Sequence, residues 1–513
     1  MFTLTFSQSW KEFNTDEPAK QQFVDGIIGY VKNARWFGSK AFEIASLRCD
    51  HCLPLDNGDC RYFLMIIEVT CIDREPEYYL VPLSQVKKDE AIAGVTLAAC
   101  HDNEHVIMDA IYDVNFHKVL FAKTLSGESI PTTKGVLKFD KGLALNPEQT
   151  YLDSVNPGVD QSNSSIFFNG KYFMKIYRKL FLETNPEVDM LKFLTEEGGY
   201  KNIPAYRGSL VWERKNTPPV TLTLMMNKVE ATKDNWSTTG DELNDFLHAF
   251  IVGSFSIHEF VFEHVELLAK RTAEMHKALS SETKSKNFQT EKFTPKYRNW
   301  LYEHLKSLVI GRIEMLRQNS HLLDSEASAM ADFLTKKQDV ILRFFERIKK
   351  TPLKSLRTRI HGDYHLGQVL YTGSDFIIID FEGEPESSIT ERKIKHSPLK
   401  DVSGMIRSFH YAVSAKLFYS HETKDMDRIR LQRAADRWFY LIRETFTETY
   451  LKELGPDQML YANKAEINFL FLLHLLEKAI YEVGYELNGR PDWLKIPLKG
   501  VEQVINELEK YEG

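Results

Sequence analysis

Helical and strand-like patterns of apolar residues follow one another in the first part of the chain. Apolar residues three or four positions apart predict helices, and runs rich in aromatic and β-branched residues predict strands. Asn169-Gly170 joins two such runs and is the dipeptide most typical of a tight hairpin. We therefore predict helices over Lys20–Trp36 and Val188–Glu197, and strands over Tyr62–Thr70, Tyr78–Pro82, Ser165–Asn169, Lys171–Tyr177 and Val220–Met226.

From about Gly240 onwards the helical period takes over. The exception is a compact stretch, Arg359–Phe381, with a tail to about Leu399. The spacing predicts helices over Glu263–Leu279, Tyr297–Arg317, Glu326–Lys349, Met426–Leu451 and Lys464–Glu486. Core packing explains their apolar faces better than a coiled-coil surface does. The prediction is an α+β, two-lobed layout with an amino-terminal α/β domain at 1–150, a sheet-bearing lobe at 151–232 and a helical lobe at 233–513.

Composition and charge fit a globular protein of several packed units. The 513 residues are 43% hydrophobic and 27% charged, with a net charge of -7. This mildly acidic balance gives no support for nucleic-acid binding. The first residues lack a signal-peptide pattern, and the longest apolar run, near Phe469–Leu476, is too short to span a membrane. We expect a cytoplasmic protein without a membrane or nucleic-acid partner.

All five cysteines lie within the first 100 residues, at Cys49, Cys52, Cys60, Cys71 and Cys100. The Cys49-x-x-Cys52 spacing admits a zinc knuckle, but a second close Cys/His pair at zinc spacing does not follow it. Free, buried thiols in a reducing compartment are the better interpretation.

The segment His361–Gln368, HGDYHLGQ, carries the strongest chemical signal. Phosphoryl transfer needs a carboxylate that accepts the proton of the attacking hydroxyl, together with oxygen ligands for Mg²⁺. Asp363 and Gln368 stand five positions apart, and a short apolar strand then delivers Asp380, 17 residues after Asp363. Taken alone, each residue could be a turn or a strand end. Together they predict a catalytic base, Asp363, and two Mg²⁺ ligands, Gln368 and Asp380.

A phosphate-binding lysine should precede this segment. Lys175 stands in the middle of the strand FMKIY, where a lysine usually reaches to solvent, but where it could also hold the phosphates of ATP. Its acidic partner would come from the next helix, as Asp189 or Glu187, and we favour Asp189. The polar run Asp160–Ser165 replaces a glycine-rich phosphate loop, and its backbone N–H groups could bind phosphate.

Several longer motifs resemble the maltokinases, relatives of the aminoglycoside phosphotransferases. Besides HGDYHLGQ, they are RWFGSK (35–40), QSNSS (161–165), RTAEMHKAL (271–279), DFEGEP (380–385), SPLKDVSGMIRSFHYA (397–412) and EKAIYEVGYELNGRPDW (477–493). The resemblance extends over nearly the whole chain. It implies a protein-kinase-like bilobal fold with an amino-terminal cap domain and a mostly helical carboxy-terminal lobe.

The resemblance also implies a reaction. The γ-phosphate of ATP would pass to the anomeric hydroxyl of maltose, giving maltose 1-phosphate for α-glucan (glycogen) synthesis, and a trehalose synthase is a candidate partner. Asp363 would be the base, Gln368 and Asp380 the Mg²⁺ ligands and Lys175 the phosphate ligand. The remaining nucleotide-binding residues would be Ser162, Asn163 and Ser164 of the phosphate loop and Met226, Asn227 and Val229 of the hinge under adenine.

The sugar would lie beside the catalytic loop. Aromatic faces and charged groups suit sugar rings and hydroxyls, and Lys478, Tyr481 and Tyr485 share one helical face. Core packing of these tyrosines is the competing interpretation. Supported by the resemblance, we predict an acceptor site formed by His365, Arg407, Lys478, Tyr481, Tyr485, Glu486, Arg490 and Trp493.

Other functions remain open at the level of sequence. A glucosamine kinase or another small-molecule kinase of the same fold would share the catalytic motifs. A pseudokinase or a regulatory scaffold should have lost one of the four residues Lys175, Asp363, Gln368 and Asp380, and all four are present. In the DFE triplet, Glu382 replaces the glycine of DFG, so we predict that this triplet does not flip as an on–off switch.

Overall fold

The structure is a computed structural model that describes residues 2–4, 10–55, 61–102, 104–158, 162–455 and 460–512. The chain divides into two compact units. The first contains Met1–Glu196 and Pro204–Val229, and the second contains Glu197–Ile203 and Glu230–Gly513. The short segment 197–203 belongs to the second unit because Asn202 bonds to its strands: the Asn202 carbonyl accepts from Ile378 N at 2.8 Å, and Asn202 Nδ2 donates to the Phe376 carbonyl at 2.9 Å.

The first sheet of the first unit has the strand order β1-β5-β6-β4-β3-β2, and β12 pairs with β4. Its pairs are antiparallel except for β1 with β5. The central strand β3 is buried along almost its whole length, as its aromatic and β-branched residues predict. The strands are β1 Phe2–Leu4, β2 Ile44–Pro54, β3 Tyr62–Cys71, β4 Glu77–Lys87, β5 Thr96–Cys100, β6 His105–Asp109 and β12 Lys179–Leu180.

The second sheet is wholly antiparallel, with the order β7-β8-β13-β14-β11-β10-β9. The predicted hairpin forms β10 and β11, and its turn residues Asn169 and Gly170 both have positive φ, 52° and 62°. These angles are those of the tight turn that Asn-Gly favours. The strands are β7 Ser129–Thr132, β8 Gly135–Lys141, β9 Ser154–Val155, β10 Asn163–Phe168, β11 Tyr172–Tyr177, β13 Tyr206–Glu213 and β14 Val220–Asn227.

In the described part of the first unit, the α-helices are α1 Glu17–Gly26, α2 Ile28–Asn33, α3 Val114–Ser126 and α4 Pro186–Glu196. The long helix predicted from Lys20 to Trp36 is divided at Ile27. The second sheet takes β7 and β8 from before residue 150, and the first sheet takes β12 from after it. Strand pairs therefore cross the predicted boundary at residue 150 in both directions. The division into separate folding units at this residue stays a prediction.

The described part of the second unit is mostly helical. The helix predicted over Glu326–Lys349 is divided at Lys337, which has the non-helical angles φ -90° and ψ 4°. The helices are α5 Asn235–Ile251, α6 Glu259–Leu279, α7 Pro295–Gln318, α8 Ser325–Lys336, α9 Gln338–Lys350, α10 Ile389–Arg392, α11 Leu399–Phe418, α12 Arg428–Leu454, α13 Lys464–Gly489 and α14 Lys495–Glu512. Within the described ranges, no helix combines the length and apolarity needed to cross a bilayer.

Two small sheets frame the catalytic segment in the second unit. One has the order β15-β18-β19 and the other pairs β16 with β17. The segment His361–Gln368 connects β17 to β18 across the two sheets. The strands are β15 Lys233–Asp234, β16 Glu291–Lys292, β17 Leu356–Arg357, β18 Val369–Tyr371 and β19 Phe376–Ile378.

The cysteines for which the structure gives a position are free thiols, as predicted: Cys49, Cys52, Cys71 and Cys100. Burial raises the pKa of the Cys49 thiol to about 12, so this group stays protonated at neutral pH. Cys60 lies outside the described residues.

Candidate active site

A buried carboxylate fixes the backbone of the catalytic loop. Asp401, near the start of α11, accepts the backbone N–H groups of His361 at 2.8 Å and Gly362 at 2.9 Å. Its side chain is 1% exposed, and the ring of His276 lies 3.1 Å from Oδ2. Burial acts to raise the pKa of Asp401, but these hydrogen bonds and the His276 contact outweigh it, and the pKa is lowered. Asp401 is therefore an ionised support of the loop.

Asp363 follows directly and is half-buried. The ammonium group of Lys478, on α13, lies 3.5 Å from Asp363 Oδ1. His365 Nε2 lies 3.8 Å from Asp363 Oδ2, which is beyond hydrogen-bond distance. Burial lowers the pKa of His365, so its ring is neutral at pH 7. The carboxylate thus faces one cation and one neutral ring.

Gln368 and Asp380 come together although twelve residues separate them. The hairpin β18–β19 pairs Val369 with Ile378, and Gln368 Nε2 donates to Asp380 Oδ2 at 2.9 Å. The amide nitrogen points at the carboxylate, so the amide oxygen is turned away from it. Amide and carboxylate oxygens are suitable ligands for a hard divalent cation such as Mg²⁺. The donor set of this pair therefore fits the predicted metal.

The DFE triplet begins with a carboxylate in contact with Gln368 and continues with a buried ring. Phe381 is 1% exposed, and the centre of its ring lies 4.7 Å from that of His361 in the catalytic loop. Asp380 has a positive φ of 64°, a conformation that suits aspartate better than most residues. The ring is packed and the carboxylate faces Gln368. That the triplet does not flip stays a prediction.

A cavity of about 400 Å³ opens beside Asp363 within the second unit. Seven of the eight predicted acceptor residues line this Asp363 cavity, together with ten residues that were not predicted for the acceptor site. The predicted seven are His365, Lys478, Tyr481, Tyr485, Glu486, Arg490 and Trp493. The other ten are Trp236, Asp363, Gly367, Glu384, Pro385, Glu386, Gly404, Ser408, Tyr411 and Glu482.

Polar side chains that line the Asp363 cavity form hydrogen bonds and ion pairs with one another. Near Asp363, Glu384 accepts a hydrogen bond from Tyr481 Oη at 2.8 Å and lies 3.2 Å from the Lys478 ammonium. At the other end of the wall formed by α13, Arg490 pairs with Glu486 at 2.7 Å and lies over the ring of Trp493. The wall therefore offers a charged end beside the base and an aromatic, charged end two to three helical turns away.

Arg407 is the exception among the predicted acceptor residues. Its guanidinium is buried and donates to Glu482 at 2.9 Å and 2.7 Å, and Nη1 lies 2.7 Å from His410 Nδ1. Arg407 is absent from the described residues that line the cavity. The assignment to the acceptor site is corrected: Arg407 lies behind the wall because α11 turns its side chain towards Glu482, which does line the cavity.

In the first unit, Lys175 pairs with a carboxylate of α4. Lys175 Nζ lies 2.9 Å from Glu187 Oε2, and Tyr177 Oη donates to the same oxygen at 2.7 Å. Glu187 is buried, whereas Asp189 is half-buried. Glu187, the other acidic partner considered from the sequence, therefore makes this contact, and a role for Asp189 stays a prediction. Residues two positions apart in a helix differ by about 200° around its axis, and the Glu187 side chain is turned towards the strand of Lys175.

The predicted phosphate loop is partly a strand. Asn163 and Ser164 are already part of β10, and Ser164 Oγ accepts from the buried Arg178 side chain at 2.7 Å. The Ser164 hydroxyl is thus turned into the unit. The binding of phosphate by backbone N–H groups of this run stays a prediction. Ser162 lies just before the strand, within 3.3 Å of Asn163 Nδ2. Asp160 and Gln161 lie outside the described residues.

The predicted hinge residues lie at the end of β14, where the chain leaves the first unit after Val229. Met226 is 6% exposed and is the last buried residue of the strand. Asn227 Oδ1 accepts from Arg207 Nε at 2.6 Å, and Val229 is half-buried. A nucleotide-binding role for these three residues stays a prediction.

Some residues of the site were missed from the sequence although they stand in motifs quoted for the resemblance. Glu384 follows the DFE triplet, and Asp401 stands in SPLKD. A carboxylate four residues after a metal ligand was a usable signal for Glu384. Trp236, at the start of α5, carried none, because its approach to the cavity depends on the packing of α5.

Two curated proteins similar in sequence to this chain are glucosamine kinases. No protein-family model matches the chain. A glucosamine kinase of Streptacidiphilus jiangxiensis is 22% identical over 361 residues, 69% of this chain and 73% of that protein. A glucosamine kinase of Mycolicibacterium smegmatis is 28% identical over 155 residues, 29% of this chain and 34% of that protein.

Solved structures match over almost the full length. Glucosamine kinase in complex with glucosamine, ADP and inorganic phosphate matches with a TM-score of 0.67 at 15% identity, over 97% of this chain and 100% of that one. A second crystal form of glucosamine kinase matches with the same TM-score over 95% of this chain and 99% of that one. The predicted fold class is confirmed: the chain has the α+β, protein-kinase-like fold of glucosamine kinase.

Proposed function

We propose that this protein is an ATP-dependent kinase that phosphorylates a hydroxyl group of a small sugar. The observation that carries the proposal is the position of Asp363, which faces a cavity lined by aromatic and charged side chains. Such linings suit sugars, because rings pack on aromatic faces and hydroxyls bond to charged groups. The similarity to glucosamine kinases, in sequence and in fold, supports the same class of reaction.

Asp363 would act as the base. As the sugar oxygen attacks the γ-phosphorus, its proton passes to the Asp363 carboxylate, a new P–O bond forms and the bond to the β-phosphate oxygen breaks, releasing ADP. Lys175, oriented by Glu187, would bind phosphate oxygens of ATP. Gln368 and Asp380 would hold Mg²⁺, which when bound offsets the negative charge of the phosphates.

Maltose is the first candidate acceptor. The α13 wall of the Asp363 cavity runs from Lys478 to Arg490, roughly 18 Å at the helical rise per residue, which is longer than one sugar ring. Tyr485 and Trp493 line the part remote from Asp363, where a second ring would lie. Together with the resemblance to maltokinases, this length supports phosphorylation of maltose at the anomeric hydroxyl, giving maltose 1-phosphate for α-glucan synthesis.

Glucosamine is the second candidate. It is supported by the sequence relatives and by the charge of the cavity, whose lining contains five carboxylates and two cations. The carboxylates are Asp363, Glu384, Glu386, Glu482 and Glu486, and the cations are Lys478 and Arg490. The carboxylates outnumber the cations in this lining, and an acidic site favours a cationic acceptor.

The test is ADP release from Mg-ATP with maltose, glucose, glucosamine, trehalose and an aminoglycoside, followed by phosphorus NMR of the product. Turnover of maltose with an anomeric phosphate would support the first candidate, and turnover of glucosamine the second. ATP binding without turnover of any acceptor would instead support a pseudokinase. Asp363→Asn, purified in the same way, is the comparison variant, and its ADP release should be lower by roughly 10²-fold or more.

A trehalose synthase would supply maltose, and its association with this protein stays a prediction. Co-purification of the two proteins from a mixture, detected by size-exclusion chromatography, is the measurement. Separate elution at micromolar concentrations would contradict a stable complex.

A further inference from the structure

The end of the Asp363 cavity beside the base is built like a binding site for an ammonium ion. Two carboxylates, Asp363 and Glu384, approach one point, and the ring of Tyr481 lies next to them. Carboxylates and an aromatic face are the groups that recognise alkylammonium ions in proteins. We call these three residues, Asp363, Glu384 and Tyr481, the ammonium corner.

Lys478 fills this corner with the protein's own ammonium group. Its Nζ lies 3.2 Å from Glu384 Oε2, 3.5 Å from Asp363 Oδ1 and 5.0 Å from the centre of the Tyr481 ring. Tyr481 Oη donates to Glu384 Oε1 at 2.8 Å, which fixes the carboxylate that faces the lysine. Burial alone would lower the pKa of Lys478, but Glu384 and Asp363 raise it, so the group is charged at neutral pH.

An acceptor must place its reacting hydroxyl on Asp363, so the neighbouring substituent of the same ring meets Lys478. A hydroxyl at that position can accept a hydrogen bond from the lysine. A substrate ammonium would meet a like charge in a partly desolvated site and find both carboxylates already paired. An acceptor with a hydroxyl at this position should therefore bind with a more favourable free energy than one with an ammonium group.

We propose that Lys478 is a selectivity residue that excludes sugars bearing an ammonium group beside the reacting hydroxyl and so reserves the site for neutral sugars. The proposal rests on the sugar-kinase function and narrows its substrate class. The excess of carboxylates in the cavity then does not by itself create a site for an amino sugar, because the carboxylates nearest the base already have a cation.

Four variants test the proposal. Lys478→Met removes the charge at similar length, Lys478→Gln does so with a polar group, and Lys478→Arg keeps the charge. Arg490→Met is the matched control, because it removes a cation that lines the same cavity but pairs with Glu486 at its other end. If the loss of any positive charge from the cavity alters selectivity, both methionine variants will show the change. If only the charge in the ammonium corner matters, Lys478→Met alone will show it.

The readout is the ratio of the Kd for glucosamine to the Kd for glucose. It is measured by titration calorimetry with Mg-ADP present, at a pH that protonates the amine, and turnover of both sugars is followed in parallel. We expect Lys478→Met and Lys478→Gln to lower this ratio by about tenfold or more, because they remove a repulsion of the size of one ionic contact. Lys478→Arg should retain the ratio of the unmodified protein, and Arg490→Met should change it by less than about threefold.

Each outcome bears on one idea or the other. An unchanged ratio in both Lys478→Met and Lys478→Gln, or an equal change in Arg490→Met, overturns the selectivity role, whatever the turnover. A shifted ratio in a protein that turns over no sugar supports the selectivity role and contradicts the kinase function. Turnover of neutral sugars with a Kd ratio that does not change in the Lys478 variants supports the kinase function and contradicts the selectivity role.

Discussion

Asp363 is placed by the backbone of its loop more than by its own contacts. The neighbouring N–H groups of His361 and Gly362 bond to Asp401, and the Asp363 carboxylate is left facing the cavity. A change at Asp363 should therefore alter chemistry while leaving the loop in position.

We expect Asp363→Asn to lower kcat by roughly 10²-fold or more, the usual loss when a positioned base is removed. The affinity for ATP should change little, because the amide keeps the size of the side chain. Steady-state kinetics and nucleotide titration provide the measurement. Asp332→Asn, on the exposed side of α8, is the matched control. A kcat within threefold of that control would remove Asp363 from the role of base.

Glu187 is the residue that orients Lys175, and a pair of variants distinguishes it from Asp189. Glu187→Gln should raise the KM for ATP by about tenfold or more, because it breaks a buried ion pair in which Glu187 is 3% exposed. Asp189→Asn, an equivalent change two residues later, should raise it less. Equal effects on KM would restore the sequence-based preference for Asp189 as a partner.

At the scale of elements, the contact of α11 with the catalytic loop depends on a missing side chain. A Cβ atom added at Gly404 would lie 2.7 Å from the backbone oxygen of Tyr364, the residue after Asp363. Gly484, on α13, is also a helical glycine, but there the added atom would meet the side-chain end of Arg312, which can move. An added methyl group would therefore displace the backbone of the loop at Gly404, but only a side chain at Gly484.

We expect Gly404→Ala to destabilise the protein by about 1–3 kcal/mol and to lower kcat, because the loop must shift away from the helix. Gly484→Ala should be neutral or stabilising by up to about 1 kcal/mol, the gain in helix propensity. Denaturant unfolding and kcat of both variants are the measurements. A Gly404→Ala protein as stable and active as Gly484→Ala would show that the loop tolerates displacement.

For the whole molecule, buried neutral histidines set the response to acid. Burial holds the pKa values of His396 and His410 well below the usual 6.5. His396 Nδ1 lies 2.9 Å from Tyr297 Oη, and His410 Nδ1 lies 2.7 Å from the Arg407 guanidinium. Both rings are neutral in the folded state, and unfolding below pH 6.5 would let them take up protons.

A group whose pKa is lowered by folding contributes stability above its unfolded pKa, and that stability is lost as the pH falls. We therefore expect the Tm to fall by a few degrees between pH 7 and pH 5. In the double variant His396→Gln/His410→Gln the fall in Tm over this pH range should be smaller, because neither glutamine titrates. Thermal melts across this range are the measurement, with the exposed His321→Gln as control. A slope in the double variant as steep as in His321→Gln would contradict the assignment.

The sequence by itself determined the elements and the chemistry that depends on short separations. The β10–β11 hairpin follows from Asn169-Gly170, and the long helices follow from their apolar period, because both depend on neighbouring residues. The approach of Gln368 to Asp380 could also be predicted, since one short hairpin joins them. Lys478, Tyr481 and Tyr485 of α13 could be assigned to one face by the helical repeat.

Only the tertiary structure decided which of two similar groups performs a given contact. It paired Glu187 with Lys175, turned Ser164 towards Arg178 and turned Arg407 towards Glu482. It also brought Lys478 between Asp363 and Glu384, more than ninety residues away along the chain. The physical reason is that local pattern sets which face of a helix or strand is buried, whereas the direction of a charged side chain depends on the opposite charge that packing brings within reach.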